Sequence, residues 1–412
     1  MNQLGATLLE QLLAGDTGHH GQHVDCGSGH EATYVSDRPK VIESVLGSVN
    51  LNRAYYHCAS CHSGVVPRDD ELGVAGTTLS PGLRAMVDRV GTVAAFRKGS
   101  ELLDELAGVH VDAKRIGRCA EADGRALQAI AERDATAVAQ GTLVPLGPTE
   151  PVAKLYVVLD GTGVPMVPAE LAGRAGKAPD GRAHTREAKL GVFFTQSGLD
   201  DEGYAVRDPD SSSYLATLEP VEHFGLLVKA EALRRGSANA EELVVIGDGA
   251  PWIWNLAGDH FENATHIVDL YHARQHLYDL AAQLAGVLGD ERAGWLEKRL
   301  EELDDGDVEA VLEASRALEL SDTVAIEVEK ALGYFETNIE RMRYATFRRH
   351  GYFVGSGSVE SGCKAVIGQR LKLSGMRWSE PGATGIMTLR CQDASGRWDE
   401  IWHCLRNQTS VA

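Results

Sequence analysis

Three carboxylates and one cysteine pair stand out by what surrounds them. Asp160 and Asp248 each close a short apolar run and precede a glycine, in Val157-Val-Leu-Asp160-Gly161 and Val245-Ile-Gly-Asp248-Gly249. Ligands gather at the carboxyl ends of strands in α/β sheets. Two aspartates on neighbouring strands there would offer hard oxygens to divalent cations. The plainer alternative is that each Asp makes only a local turn with its glycine. Glu360 lies in Gly355-Ser-Gly-Ser-Val-Glu-Ser-Gly-Cys363 and is the sole acid between Arg341 and Trp378. That stretch also holds Arg341, Arg343, Arg348, Arg349, Lys364, Arg370, Lys372 and Arg377. A carboxylate among cations suits metal-assisted chemistry at a phosphate. The alternative is a helix N-terminal Glu, with the arginines paired to the acidic 297–307 stretch. His272 and His276, four apart, share a helix face. Ala273 stands where an HExxH motif has glutamate, which argues against a zinc peptidase. Trp252 and Trp254 follow Asp248, placed either to stack on a base or to fill a core. Cys58-Ala-Ser-Cys61 has metal-ligand spacing.

These residues need elements to position them. Residues 1–15 read as an amphipathic helix, and strand-like pieces follow at Ala32–Val35, Ser48–Tyr56 and Gly64–Val66. From Leu79 to about Thr136 the pattern is helical, opened by Ser80-Pro81. Phe96–Ala107 closes at Gly108, and a second helix near Asp112 presents Lys114, Arg115 and Arg118, a helix-turn-helix pattern. Gly141–Pro151 is rich in turn-formers and reads as a linker. Strands at Lys154–Asp160, Lys189–Gln196, Leu243–Asp248 and His266–Asp269 indicate an α/β core. Ser212–Leu218 reads as a turn and Val221–Arg235 as a helix. The chain is then helical from Tyr271 to about Arg349, and again from Ser358 to Leu373. The expected domains are 1–78, 79–140 and 150–412, the last with a helical insertion at about 271–350.

The 412-residue chain carries a net charge of −19, which tells against non-specific coating of nucleic acid. Any DNA surface must therefore be local. The expectation is that cations from Arg341 to Arg377 and around Arg174–Lys189 line one face with the carboxylates. Seven scattered cysteines argue against a disulfide framework. No apolar run reaches the ~18 residues of a membrane span, and no basic leader precedes an apolar segment. The expectation is a cytoplasmic protein with no membrane partner.

The segments LDGTGVP (159–165), GDGAPWIWN (247–255), VDLYHARQHL (268–277) and GSGSVESGCKAVIGQRLKLSGMRW (355–378) resemble ISKra-type bacterial insertion-sequence transposases. These are DDE enzymes allied to the Mutator-like group, and the resemblance runs from about residue 24 to the end. It implies an α/β fold: an RNase H-like catalytic core with an all-helical insertion, preceded by a zinc-ribbon-like segment and a helix-turn-helix-like domain. Asp160, Asp248 and Glu360 correspond to the catalytic triad and would hold Mg²⁺ or Mn²⁺. Asp269 and His272 match the Asp-x-x-His signature. The ribbon uses two ligand pairs: Cys58 with Cys61, and irregularly Cys26 with His30, with His20, His23, His57 and His62 as alternatives for Zn²⁺. The implied partner is double-stranded DNA, both element ends and target, gripped by Lys114, Arg115, Arg118, Lys364, Arg370, Lys372 and Arg377 in a homo-oligomer. The implied reaction is metal-dependent strand cleavage and strand transfer. The competing readings are a DNA-binding regulator or inactive relic, and a nuclease without joining activity.

Overall fold

The apolar runs of the sequence become strands of two separate sheets in the computed structural model. It describes residues 2–144, 147–148, 150–176, 183–355 and 357–409; the side chains of residues 2, 3, 358–360 and 406–409 lie outside the description. Two compact units divide the chain: residues 1–130 with 379–393 and 397–412, and residues 131–378 with 394–396.

In the first unit, helix α1 (Asn2–Leu13) packs Ala6 against Ile42, Val49 and Leu51. The strands β1 (His23–Asp25), β2 (Glu31–Ser44), β3 (Gly47–Cys58) and β4 (Ser63–Val65) form an antiparallel sheet in that order. Turns close it at both ends of one edge: Asp25 pairs with Glu31 around Cys26–His30, and Cys58 pairs with Ser63 around Cys58–Cys61. After the short α2 (Pro67–Glu71) come α3 (Pro81–Val93), α4 (Phe96–Ala107) and α5 (Ala113–Ala139). Ser80 caps α3 through its side chain, with proline in the first turn. Gly108 ends α4 at φ 64°, a conformation that favours glycine. Leu83, Val87, Leu103 and Ile116 make the core of this bundle.

The C-terminal helix Glu380–Ala394 belongs to this first unit, which corrects the expected 150–412 domain. The cause is a backbone-to-backbone crossing with α5. A Cβ on Gly124 would come within 1.9 Å of the Gly385 carbonyl, so only glycine lets the helices meet. Thr388 Oγ1 reaches Gln128 Oε1 at 3.2 Å, and Arg390 donates to the Thr92 carbonyl at 2.8 Å.

The second unit is built on five strands: β5 (Val152–Pro165), β6 (Thr185–Gln196), β9 (Ser213–Thr217), β10 (Ala240–Gly247) and β11 (Thr265–Val268). A small hairpin, β7 (Gly198–Leu199) with β8 (Ala205–Val206), stands apart from them. The order is β9-β6-β5-β10-β11; β6 is antiparallel to both β5 and β9, while β10 lies parallel to both β5 and β11. Leu155 through Leu159 are buried on both faces, as a central strand with parallel pairing requires. Ser213–Thr217 is an edge strand rather than the expected turn. It pairs on one side only and spends Ser213 on a buried hydrogen bond to Glu231 at 2.6 Å, so it lacks an apolar alternation.

Helices α6 (Val221–Arg234) and α7 (Pro251–His260) flank β10 in sequence. Next come α8 (Leu270–Gln283), α9 (Ala285–Leu288), α10 (Arg292–Asp305), α11 (Val308–Arg316), α12 (Asp322–Asn338) and α13 (Tyr344–Arg349), the expected helical run. Leu277, Leu303, Val311, Leu332 and Phe335 are buried within it. The chain then enters α14 (Gly357–Gly362), which continues into a π-helical turn at Cys363–Gly368. A Cβ on Gly362 would lie 3.1–3.2 Å from Tyr214, Leu190 and Val192, so this helix sits close on the sheet face.

Candidate active site and metal centre

Strands β5 and β10 pair in parallel from Leu155↔Leu243 to Val158↔Ile246. Continuing that register by two residues sets Asp160 opposite Asp248, and adjacent strands lie about 4.8 Å apart. Strand β5 runs on to Pro165, which corrects the expected strand end at Asp160: Asp160 stays paired with Leu190 inside β5, and only β10 stops at this level. Each aspartate accepts one nearby backbone amide. Asp160 Oδ1 accepts from the Gly161 amide at 2.7 Å, and Asp248 Oδ1 accepts from the Ala250 amide at 2.8 Å. One oxygen of each is thereby fixed, and the second remains for other partners. Asp160 Oδ2 takes the Cys363 thiol at 3.2 Å. Burial pushes the Asp160 carboxyl above its ordinary range; the Asp248 charge adds to the rise, and Cys363, the Gly161 amide and His272 oppose it.

Asp269 is wholly buried and serves as the N-cap of α8, accepting the His272 amide at 2.9 Å. Its own amide donates to the Gly247 carbonyl at 2.8 Å, tying the cap to the strand that carries Asp248. The Asp-x-x-His spacing is thus the geometry of a capped helix that delivers His272. The His276 ring stacks on Tyr334 with centroids 3.7 Å apart, and burial, the leading cause, lowers its pKa.

Tyr334 and Cys363 are the residues that sequence reasoning missed. Tyr334 reaches from α12 of the insertion and donates to the Asp248 carbonyl at 2.9 Å. Its ring occupies the space where a Cβ on Gly249 would sit 2.5 Å away, and Gly249 has φ 98°. No local signal in α12 marks this tyrosine, whereas Cys363 was in view as part of the Glu360 segment. Glu360 is carried by α14, on the face of the sheet that holds Asp160; its carboxylate lies outside the described side chains.

The expected cations separate into two groups. Lys364, Lys372 and Arg377 are exposed, and Lys372 donates to Thr162 Oγ1 at 2.5 Å, two residues beyond Asp160. Arg377, Arg174 and His184 line a cavity of about 860 Å³ at the far end of β5. Arg370 corrects the expected DNA contact: it is wholly buried, 5.1 Å over the Trp378 ring and donating to the Met376 sulfur. The arginines nearer the insertion also depart from the expected single face. Arg343 pairs with Glu309 at 2.7 Å and with Glu340, and Arg348 donates to the Asp304 carbonyl. Arg341 lies 4.8 Å over Trp254, which is buried and so is core rather than a base platform. In the first unit Lys114 and Arg118 are exposed, but Arg115 is held by Glu43 at 2.6 Å and by Thr78.

The first unit holds a separate centre. One ligand atom from each of Cys26, His30, Cys58 and Cys61 lies within 4.8 Å of the others. The Cys26 and Cys61 sulfurs are 3.7 Å apart, and His30 Nδ1 is 3.2 Å from Cys61 Sγ. A tetrahedron of sulfurs about 2.3 Å from zinc has edges of about 3.8 Å. The two turns therefore bring four donors to the size and chemistry of a metal such as zinc. His20 and His23 are engaged elsewhere, with Glu71 and with Thr33 and Glu31. The Ser28 amide leads in drawing the Cys26 thiol down to about 7, which favours the thiolate that a metal needs. Cys61 moves up, chiefly through its contact with Cys58.

A family model described as an uncharacterised protein family, UPF0236, matches residues 234–401, less than half of the chain. The match takes in Asp248, Asp269, His272 and Glu360 and leaves Asp160 outside. No curated protein matches the chain. Among the described residues no helix is long and apolar enough to cross a membrane.

Proposed function

We propose that this protein is a DDE-type transposase with an RNase H-like core, which cuts and joins DNA at a carboxylate site formed by Asp160, Asp248 and Glu360. The observation that carries the reading is the parallel register that sets Asp160, within β5, beside Asp248 at the carboxyl end of β10. The five-stranded mixed sheet with helices is consistent with it, because the resemblance implies an α/β core. The residues present suit magnesium: each aspartate keeps an oxygen beyond its local turn bond, and carboxylate oxygens are hard ligands. Glu360 would complete the set. Bound divalent cations would supply activation of a water or 3′-hydroxyl nucleophile and stabilise the leaving oxygen.

The remaining residues position this pair. Cys363 holds the outer oxygen of Asp160, the Asp269 cap fixes the first turn of the helix that carries His272, and Tyr334 anchors the backbone of Asp248. Lys364, Lys372 and Arg377 provide cations to grip the phosphates of the strand beside Asp160. The exposed Lys114 and Arg118 and the Cys/His centre serve the recognition of element ends.

The test is Mg²⁺-dependent cleavage of DNA spanning the gene's own flanks, with wild type beside Asp160→Asn. Cleavage by wild type alone supports the proposal. Binding to the flanks without cleavage by either protein would replace it with a regulator or relic. Cleavage without strand transfer to a second duplex would leave a nuclease.

A further inference from the structure

A second cavity, of about 510 Å³, opens beside the first turn of α8. Volumes of this order hold small ligands. Its walls include Tyr204 and Tyr271, and its cations are Arg207, Arg274 and Arg348; none of its described lining residues is an Asp or Glu. Tyr271 is 58% exposed and Tyr204 67%, although both carry large flat rings. Leu199 and Val206 of the β7–β8 hairpin are also exposed, so Tyr204 stands in an apolar projection at the rim. Clustered exposure of this kind marks an interaction surface.

The position of Tyr271 is built. A Cβ on Gly355 would fall 2.8 Å from its ring, so glycine there lets the ring lie against the segment that leads into α14 and Glu360. Tyr271 also adjoins His272, whose amide is held by the Asp269 cap. Two of the cations are fixed in advance through one residue: Arg274 pairs with the Asp304 carboxylate, and Arg348 donates to the Asp304 carbonyl. Open aromatic faces beside arginines suit a nucleobase with its phosphate. A paired base keeps its faces inside the helix stack, so the base that fits is an unpaired one. The tryptophans after Asp248 cannot serve, since Trp254 is buried and Trp252 lies against Phe224.

We infer that this cleft holds an unpaired nucleobase of the DNA strand being processed, stacked on Tyr271 one residue from His272. The inference rests on the DNA reading above and adds that the strand is locally opened at the site.

The full-length protein is titrated with two duplexes, one fully paired and one with a single unpaired 2-aminopurine. The expected result is about tenfold tighter binding of the unpaired duplex, the size of one base–aromatic stack, with quenched 2-aminopurine emission. Tyr271→Ala should remove that preference and the quenching while leaving paired-duplex affinity unchanged, and Tyr271→Phe should keep both. Tyr204→Ala, at the opposite rim, should weaken the preference in the same direction and carries the test should Tyr271→Ala lower the melting temperature. Equal binding of the two duplexes, or a preference untouched by both alanine variants, overturns the inference. Should Asp160-dependent cleavage persist in that case, only the inference has failed. Should neither duplex bind, the DNA reading falls with it.

Discussion

The Cys26–His30–Cys58–Cys61 centre and the Asp160/Asp248 pair each gather ligands from separate elements, and they differ in almost every other respect. In the first, two turns at one edge of a small antiparallel sheet bring four donors together, three of them sulfur. Soft donors around a closed set describe a metal that holds structure. In the second, one carboxylate lies within β5 and the other just past the end of β10, on strands that are already buried and paired, so the scaffold is complete without an ion. Burial even raises the Asp160 carboxyl, a cost to stability that a purely structural residue would avoid. The lesson is that a ligand set integral to its fold and one imposed on a finished fold respond oppositely to mutation.

The largest expected effect separates them directly. Cys61→Ser should lose bound zinc, read by elemental analysis, and should melt the β1–β4 sheet, because zinc binding in such sites contributes on the order of 10 kcal/mol to folding. A melting curve and zinc content unchanged from wild type would break the comparison. Asp248→Asn should do the reverse, lowering Mg²⁺-dependent cleavage about a thousandfold, the value of several kcal/mol of charge stabilisation, with zinc content retained. Next in size is Gly385→Ala, which forces a Cβ into the α5 crossing and should cost about 3 kcal/mol in denaturant unfolding of the first unit. A loss below about 1 kcal/mol would mean that the crossing relaxes easily. Tyr334→Phe removes one donor from the Asp248 carbonyl and should cost about 0.5–1.5 kcal/mol, seen as slower cleavage with unchanged DNA affinity.

The smallest effect is the most diagnostic of the second site. A carboxyl whose folded pKa is raised binds its proton more tightly folded than unfolded. Its stability contribution is therefore complete below the unfolded carboxylate range and declines as pH rises through the folded value. Asp160→Asn removes that decline. Its melting temperature should match wild type in acid and exceed it by about 1–3 °C at neutral pH. A variant less stable than wild type at neutral pH would make Asp160 a structural residue.

Much of this was legible in the sequence because it is local. The Asp248 strand end, the Ser80-Pro81 start of α3, the Gly108 stop and the Cys58/Cys61 spacing each follow from a few neighbouring residues, whereas Asp160-Gly161 reads as a strand end and instead stays paired within β5. Non-local pairings were not legible. Nothing near Arg115 announces Glu43, 72 residues away, and nothing in α12 announces that Tyr334 will touch Asp248, 86 residues away. Arg370 read as a surface cation because its burial depends on the Trp378 ring and the Met376 sulfur folding back over it. The five-residue edge strand at Ser213–Thr217 was missed for a different reason, since a strand paired on one side needs no apolar alternation.

The return of Glu380–Ala394 to the first unit has a consequence for how the chain is made. The glycine crossing at Gly124 and Gly385 joins segments synthesised more than 250 residues apart, while the second unit is almost one uninterrupted stretch, residues 131–378. During translation the second unit can therefore be whole before the first has received its last helix. The N-terminal region must wait, partly assembled, until residues 380–394 have followed the second unit out of the ribosome, which reverses the usual N-to-C order of domain completion. A fragment ending at residue 378 would carry every carboxylate of the proposed site and still leave Gly124 without the helix it was shaped to meet.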